Sequence, residues 1–132
     1  MKMNIPKELR YSKNHEWVRV EGEKVIVGID DYAQSQLGDV VFVELPEVGS
    51  VFACGDSFSV VESVKAVSDI YAPVSGEIIE VNEVLADTPE CINEDPYGQG
   101  WIVVIQVKDA SEVDNLMDSK AYQTMLEEGD NS

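Results

Sequence analysis

Short apolar runs separated by Gly and Pro recur along most of the chain. The runs at 16–20 and 25–29 flank a Gly-containing turn, which predicts a β-hairpin because β-branched residues favour strands. Similar runs predict further strands at 40–45, 58–64, 67–71, 77–81 and 101–105. Several short strands at close spacing, joined by Gly and Pro turns, are typical of an all-β sandwich or a flattened barrel.

Two segments have a helical pattern instead. Asp30 can cap a short helix that ends at Gly38, so a helix is predicted at 30–37. The tail at 111–128 is predicted to be helical from Ser111 onwards, because Ser111 and Asp114 resemble a capping box. Apolar residues follow at roughly helical spacing, namely Val113, Leu116, Met117, Ala121 and Met125. The two methionines among them are interpreted as core contacts.

Residues 86–100 contain no clear period and are predicted to form an ordered loop, since a strand resumes at once after them. No break in composition divides the chain, so we expect one domain over residues 1–132.

Charge restricts the possible partners. The net charge of −17 would repel a phosphate backbone and an anionic bilayer, so neither nucleic-acid binding nor membrane binding is expected. The acidic residues either only keep the chain soluble or steer it towards partners with basic protein surfaces. The apolar runs are too short to span a bilayer, and the N-terminal residues lack the pattern of a signal or transit peptide. A bacterial cytoplasmic location is expected, or the mitochondrial matrix for a processed eukaryotic form.

Few residues indicate catalysis. Cys54 and Cys91 lack a CxxC spacing, and His15 is the only histidine, which is too few for a metal cluster. No GxSxG, P-loop or HExxH motif is present. The chain is therefore not expected to be an enzyme or to hold a metal, although a thiol activity of Cys54 or Cys91 with His15 stays open as an alternative.

Lys65 occupies a different kind of position. The strands on either side are so close that residues 63–66 should form a hairpin tip, with Lys65 directed into water and its stem unpacked. An exposed lysine in a turn is usually no more than solvated. At a hairpin tip it is also well placed for covalent attachment by an enzyme that supplies an activated acyl group.

The surrounding residues favour attachment. VVESVKAVSDIYAPVSGEIIEVN, at 60–82, resembles the attachment hairpin of lipoyl-bearing domains. HEWV at 15–18, GIDDYAQSQLGDVVFVELPEVG at 28–49 and INEDPYGQGW at 92–101 extend the resemblance to the H-protein family of the glycine cleavage system, over residues 11–126. Biotinyl carriers have a similar shape but typically place methionine on both sides of the lysine, where this chain has Val64 and Ala66.

The resemblance implies a fold and a chemistry. The fold is mainly β, a flattened barrel-sandwich hybrid of the lipoyl/biotinyl carrier type with one short helix and a C-terminal helix. Lipoate is implied in amide linkage on Lys65. A glycine decarboxylase (P protein) would pass an aminomethyl group to it, an aminomethyltransferase (T protein) would remove that group, and dihydrolipoamide dehydrogenase (L protein) would reoxidise the dithiol. A monomer is expected.

The resemblance also implies roles for individual residues. Glu62, Gly49 and Gly76 match positions associated with recognition by lipoate-attaching enzymes, although the two glycines are equally well explained as turn residues. Glu16 and Asp69 match positions that line a cleft where the loaded arm is protected from water. Members of the family often have histidine where this chain has Gln36, and no role is implied for the two cysteines.

Three alternatives stay open besides the glycine cleavage carrier. The first is a lipoyl reservoir that relays lipoate to other enzymes, which would carry the same modification. The second is the thiol activity described above. The third is an unmodified scaffold in which Lys65 is merely solvated.

Overall fold

The computed structural model describes residues 4–130, with side chains described as far as Glu128. It contains nine strands: β1 Arg10–Tyr11, β2 Glu16–Glu21, β3 Lys24–Ile29, β4 Val40–Glu44, β5 Val51–Phe52, β6 Ser57–Ser63, β7 Val67–Tyr71, β8 Gly76–Val81 and β9 Val103–Val107. Its five helices are α1 Asp31–Leu37, α2 Val84–Asp87, α3 Cys91–Glu94, α4 Ser111–Asp114 and α5 Ser119–Asp130. None of these helices is both long and apolar enough to pass through a bilayer.

The strands form two antiparallel sheets. The larger sheet has the order β1-β2-β3-β9-β8-β5, and the smaller has the order β4-β6-β7. The sheets do not join into a closed barrel, and their inward side chains form one apolar core that includes Val27, Val61 and Ile105. The structure therefore confirms a mainly β barrel-sandwich with few helices.

The short helix after β3 forms as its sequence predicts. Asp30 is the N-cap, and its side chain accepts a hydrogen bond from the backbone N–H of Ala33 at 2.8 Å. Gly38 ends the helix with φ +79°, a left-handed conformation that glycine adopts without a steric cost. This helix places Gly38 beside the start of β4.

The predicted loop at 86–100 was wrong in part, because α3 lies within it and the last two residues of α2 overlap its start. Leu85 and Ile92 anchor the two helices in the core, which single-turn patterns in the sequence are too short to reveal. The side chain of Asn93 on α3 also links the end of α1 to the start of β4. Its amide donates to the Gly38 carbonyl at 2.8 Å, and its side-chain oxygen accepts from the backbone N–H of Val40 at 2.8 Å.

The tail also differs from its prediction. The helical segment is two helices, and the capping box at Ser111 does not form, because the Ser111 hydroxyl donates to Asp109 instead. Asp118 caps the second helix by accepting from the backbone N–H of Ala121 at 2.8 Å. Between the helices, Met117 forms a bridge with Tyr11 of β1, which requires extended rather than helical backbone.

A second apolar cluster holds α5 against the outside of the larger sheet. Its buried members are Leu9, Tyr11, Trp17 and Tyr122. Met117 and Met125 pack against it, as the interpretation of these methionines as core contacts requires. Tyr11 and Tyr122 stack with ring centroids 4.7 Å apart. The C-terminal helix is thus tied to the strand that leads to His15 and Glu16.

Candidate functional site: the tip of the β6–β7 hairpin

Lys65 lies at the tip between β6 and β7, which pair along their length. The backbone N–H of Ser63 donates to the Ala66 carbonyl at 2.8 Å and closes the turn. The Ser63 hydroxyl oxygen accepts from the N–H groups of Lys65 and Ala66, at 3.3 and 3.1 Å. A serine that bonds its own turn in this way holds the tip in one conformation. Sequence reasoning missed Ser63, although a serine before a turn is a recognisable signal.

A further contact fixes the tip against the helix end. The backbone N–H of Val64 donates to the Asp39 carbonyl at 3.0 Å, so the tip is joined to the segment between α1 and β4. Lys65 is exposed, as predicted, but its stem is not unpacked. A Cβ placed on Gly38 would lie only 3.3 Å from Cε of Lys65. The stem therefore lies over the bare backbone of Gly38, a position that the sequence pattern did not single out.

A groove opens beside the tip, between α1 and β7; we call it the α1–β7 groove. It has a volume of about 340 Å³ and is lined by residues from three segments: Asn14, His15, Ile29, Tyr32, Ala33, Gln36, Leu37, Ala66, Val67, Ser68, Asp69 and Ile70. Since Ala66 and Val67 adjoin Lys65, a chain attached to that lysine can enter the groove directly. Apolar side chains supply much of the lining, and Asp69 is the acid within it.

His15 forms part of the groove wall. Its φ is +70°, an uncommon conformation for a residue other than glycine. Its ring lies beside Tyr32, with centroids 4.6 Å apart, and its Nδ1 lies 2.6 Å from the Tyr122 hydroxyl. Burial lowers the pKa of His15 from 6.5, which favours a neutral ring. The wall of the groove is thus supported by the C-terminal helix.

Glu16 does not line this groove with Asp69. Its side chain is only 1% exposed, and it borders a separate hollow that also contains Cys54 and Lys13. One carboxylate oxygen accepts from the Ser12 hydroxyl, and the other accepts from the backbone N–H of Tyr71 at 3.2 Å. Burial raises the pKa of Glu16 to about 7, although these two hydrogen bonds act in the opposite direction. Glu16 therefore supports β7 two residues beyond Asp69.

Glu62 and the two singled-out glycines lie in different surroundings. Glu62 is half-buried on β6, on the outer face of the smaller sheet. Gly49 is exposed in a turn with φ +98°, and a Cβ there would meet nothing within 4 Å. Gly76 is buried in β8, not in a turn, and a Cβ there would overlap the carbonyl oxygen of Gln106 on the neighbouring strand. Close strand packing accounts for Gly76.

Cys54 and Cys91 are both free thiols, and neither lines the α1–β7 groove with His15. Cys54 is exposed, and its Sγ lies 3.3 Å from the Pro73 carbonyl oxygen. Burial, followed by the nearby carboxylates of Glu112 and Glu16, raises the pKa of the Cys54 thiol, which opposes thiolate formation. His15 and Cys54 border different hollows. The structure therefore does not support the thiol alternative.

Comparisons with known proteins agree with this geometry. The family described as "Glycine cleavage H-protein" matches residues 9–129. The glycine cleavage system H protein of Geobacillus thermodenitrificans is 62% identical over 127 residues, which cover 96% of this chain and 100% of the relative. That of Geobacillus kaustophilus is 59% identical with the same coverage.

A solved structure gives the same result at the level of the fold. The crystal structure of a glycine cleavage system H protein from Mycobacterium marinum superposes with a TM-score of 0.84 at 42% identity, covering 92% of this chain and 98% of that one. The family match and both curated relatives include the whole β6–β7 hairpin and the α1–β7 groove. The chain belongs to the glycine cleavage H-protein family.

Proposed function

We propose that this chain is the lipoyl-bearing carrier of a glycine cleavage system, with lipoate joined to Lys65 through an amide bond. The observation that carries the proposal is the position of Lys65, exposed at a fixed hairpin tip in a chain of the H-protein family. In this role the chain exchanges an aminomethyl group between a glycine decarboxylase (P protein) and an aminomethyltransferase (T protein), and passes electrons to dihydrolipoamide dehydrogenase (L protein).

The residues at the tip fit such a group. The Lys65 amine is accessible, while Ser63 and the backbone of Asp39 hold the turn that presents it. A fixed turn lowers the entropy that an attaching enzyme must remove when it binds the lysine. Lipoate supplies a disulfide that accepts the aminomethyl group and two electrons, so the chain needs no catalytic group of its own.

The α1–β7 groove is proposed to shelter the loaded end of the arm. An aminomethyl group attached to sulfur hydrolyses in water, and apolar walls such as Ile29, Leu37 and Ile70 exclude water from a chain lying against them. The Asp69 carboxylate offers a charged hydrogen bond to the protonated amine. Gln36 lines the same groove and can hydrogen-bond to the arm, but it adds no charge.

Glu16 is proposed to act indirectly, since it is buried beneath β7. By accepting from the Tyr71 N–H, it fixes the strand that carries Asp69. Glu62 is proposed as a contact for lipoate-attaching enzymes. Gly49 and Gly76 are proposed to serve the same recognition only through the backbone conformations that they allow.

The proposal extends to the cellular setting. Net charge −17 favours enzymes with basic docking faces and disfavours nucleic acids and anionic membranes. We infer a monomer in the bacterial cytoplasm, where these partner enzymes meet the carrier in solution.

Intact mass measurement tests the proposal. The chain is produced in cells with an active lipoylation pathway and supplied lipoate, and the adduct is mapped by peptide sequencing. One lipoyl group is expected on Lys65, lost in Lys65→Arg and retained in Lys24→Arg, which alters an exposed lysine beside another hairpin turn. An unmodified wild-type chain would refute the proposal and favour the scaffold alternative.

An assay of the lipoylated chain then decides whether it is a glycine cleavage carrier or a lipoyl reservoir. Purified glycine decarboxylase should release carbon dioxide from glycine only when the loaded chain is present. Asp69→Asn should shorten the lifetime of the aminomethyl adduct, whereas Glu44→Gln, an exposed acid two strands away in the same sheet, should leave it unchanged. No carbon dioxide release with the loaded wild-type chain would contradict the glycine cleavage role.

A further inference from the structure

One segment, formed by the end of α3 and the turn after it, contacts both ends of α1. At the start of α1, the Tyr97 hydroxyl oxygen accepts from the backbone N–H of Asp31 at 2.9 Å. At its end, the side-chain amide of Asn93 donates to the Gly38 carbonyl at 2.8 Å and to Oε1 of Gln34 at 3.0 Å. We call Asn93 and Tyr97 the α1 clamp.

The helix α1 has little of its own to hold it in place. It has seven residues, which make about two turns, and an isolated helix of that length is unstable in water. Leu37 is its only buried residue. Tyr32, Ala33 and Gln36, which also line the α1–β7 groove, are half-buried or exposed. Contacts from outside the helix therefore decide where this wall of the groove stands.

The α1 clamp is itself fixed to the rest of the fold. Nε1 of Trp17 donates to the Pro96 carbonyl at 2.8 Å, and the Arg19 guanidinium donates to the Tyr97 carbonyl at 2.9 Å. Both donors belong to β2 of the larger sheet. Ile92 of α3 is fully buried in the core. The clamp thus has a firm base from which it can hold a short helix.

The groove can shelter an aminomethyl group only while its two walls stay close together. Hydrolysis of that group consumes one water, breaks the C–S bond and yields the free thiol, formaldehyde and ammonia. The β7 wall pairs with β6 along its length, so it is held by a strand ladder. The α1 wall has no such ladder, and an outward displacement of this helix would admit water.

We propose that Asn93 and Tyr97 are positioning residues for capture of the loaded arm; this inference rests on the proposed function. By holding α1 at both ends, they set the width of the α1–β7 groove and hence the time for which an aminomethyl group stays protected in it. Neither residue lines the groove, so each acts through the side chains that α1 contributes to the lining.

The first measurement needs no lipoate, because it follows hydrogen exchange of the α1 amides by NMR in the unmodified chain. The clamp variants are Tyr97→Phe and Asn93→Asp; the second keeps the oxygen that accepts from Val40 but loses the donating amide. Both should exchange about fivefold faster in α1, the factor by which loss of one ordinary hydrogen bond shifts an equilibrium. The control is Ser59→Ala, which loses a hydrogen bond from a buried serine to the Glu44 carbonyl within the smaller sheet. Its α1 amides should stay within about twofold of wild type.

The second measurement follows the loaded chain. Each variant is lipoylated with an ATP-dependent lipoate–protein ligase and loaded with glycine and glycine decarboxylase, and loss of the aminomethyl group is timed after the decarboxylase is removed. Tyr97→Phe and Asn93→Asp should lose the group about fivefold faster than wild type. Their transfer of the group to aminomethyltransferase should not be slowed, since a less tightly held arm reaches that enzyme at least as fast. Ser59→Ala should match wild type in both assays.

These results separate positioning from general damage. Unchanged α1 exchange or an unchanged adduct lifetime in Tyr97→Phe would overturn the inference. It would also be overturned by an equal loss in Ser59→Ala, or by a transfer rate that falls together with the lifetime. Tyr97→Phe removes a single oxygen atom and decides the test alone if Asn93→Asp does not fold. A wild-type adduct that decays as fast as aminomethyl dihydrolipoamide in buffer would instead remove the proposed shelter itself.

Discussion

Nδ1 of His15 lies 2.6 Å from the hydroxyl oxygen of Tyr122, and this contact joins the wall of the α1–β7 groove to the C-terminal helix. Tyr122 is fully buried, and its ring also stacks on Tyr11. A helix remote in sequence therefore helps to shape the surface that receives the proposed lipoyl arm.

Removing the Tyr122 hydroxyl should weaken this connection. Tyr122→Phe is expected to lower the free energy of unfolding by about 1 to 2 kcal/mol, because His15 loses a buried hydrogen-bond partner. Urea unfolding at pH 7 measures the change. Tyr32→Phe is the control, since the Tyr32 ring also packs on His15 but its hydroxyl makes no side-chain hydrogen bond among the described residues. An equal loss in both variants would contradict the role of the Tyr122 hydroxyl.

The imidazole titration gives a direct test, because His15 is the only histidine. Its pKa should lie below 6.5, since burial disfavours the charged ring. Below pH 6.5 the unfolded chain then binds more protons than the folded chain, so this residue makes the fold less stable as the pH falls. The ring C–H resonances measured by NMR between pH 4 and 8 report the midpoint, and a midpoint at or above 6.5 would show the prediction to be wrong.

Glu16 should have the opposite effect to His15 on the pH dependence of stability. Burial raises its pKa in the folded chain from 4.5 to about 7, so between these values the folded chain keeps a proton that the unfolded chain has lost. Stability from this group is present at low pH and is lost as the pH rises through about 7. Glu16→Gln should therefore flatten the fall in free energy of unfolding from pH 5 to pH 8, by an amount on the order of a few kcal/mol.

The control for this experiment is Glu44→Gln, at an exposed acid that should leave the pH dependence unchanged. Asp30, whose pKa burial raises to about 6, contributes to the same fall and remains in both variants. If Glu16→Gln keeps the full wild-type slope, Glu16 is ionised in the folded chain and the prediction is wrong.

Gly38 should matter for Lys65 as well as for the helix end. Gly38→Ala forces alanine into φ +79° and places a methyl group 3.3 Å from Cε of Lys65. The strain should cost about 1 to 3 kcal/mol of stability, and the displaced lysine should be lipoylated more slowly. Gly22→Ala imposes the strain of a positive φ, +66°, with nothing within 4 Å of the new methyl group. Thermal unfolding and ligase kinetics should show the stability loss in both variants and slower lipoylation in Gly38→Ala alone.

Gly49 and Gly76 should also differ in their response to substitution. Gly76→Ala is expected to destabilise the fold severely, because the methyl group overlaps the Gln106 carbonyl in the packed sheet. Gly49→Ala adds only the strain of a positive φ at an exposed turn. Lipoylation kinetics are measured in parallel with unfolding, so that a loss of stability can be told apart from a loss of recognition by the lipoate-attaching enzyme. A folded Gly76→Ala chain that is not lipoylated would indicate direct recognition instead.

Local patterns in the sequence predicted the strands, the helix capped by Asp30 and the hairpin tip that exposes Lys65. These features depend on neighbouring residues, through β-branched runs, a capping side chain and turn residues. The loop predicted at 86–100 was wrong in part, because Leu85 and Ile92 hold α2 and α3 in the core. The single helix predicted from Ser111 divides into two, because Met117 extends to pair with Tyr11. The capping box at Ser111 does not form for a local reason, since its hydroxyl donates to Asp109.

The sequence by itself determined the strand pattern, the acidic surface and the lysine at the tip, since each is written in residues that are close along the chain. Tertiary structure alone decided what surrounds that lysine. The Lys65 stem over Gly38, Phe42 opposite Glu62, and Tyr122 against His15 all join segments far apart in sequence. Such pairs arise from sheet register and helix packing, which no local pattern encodes.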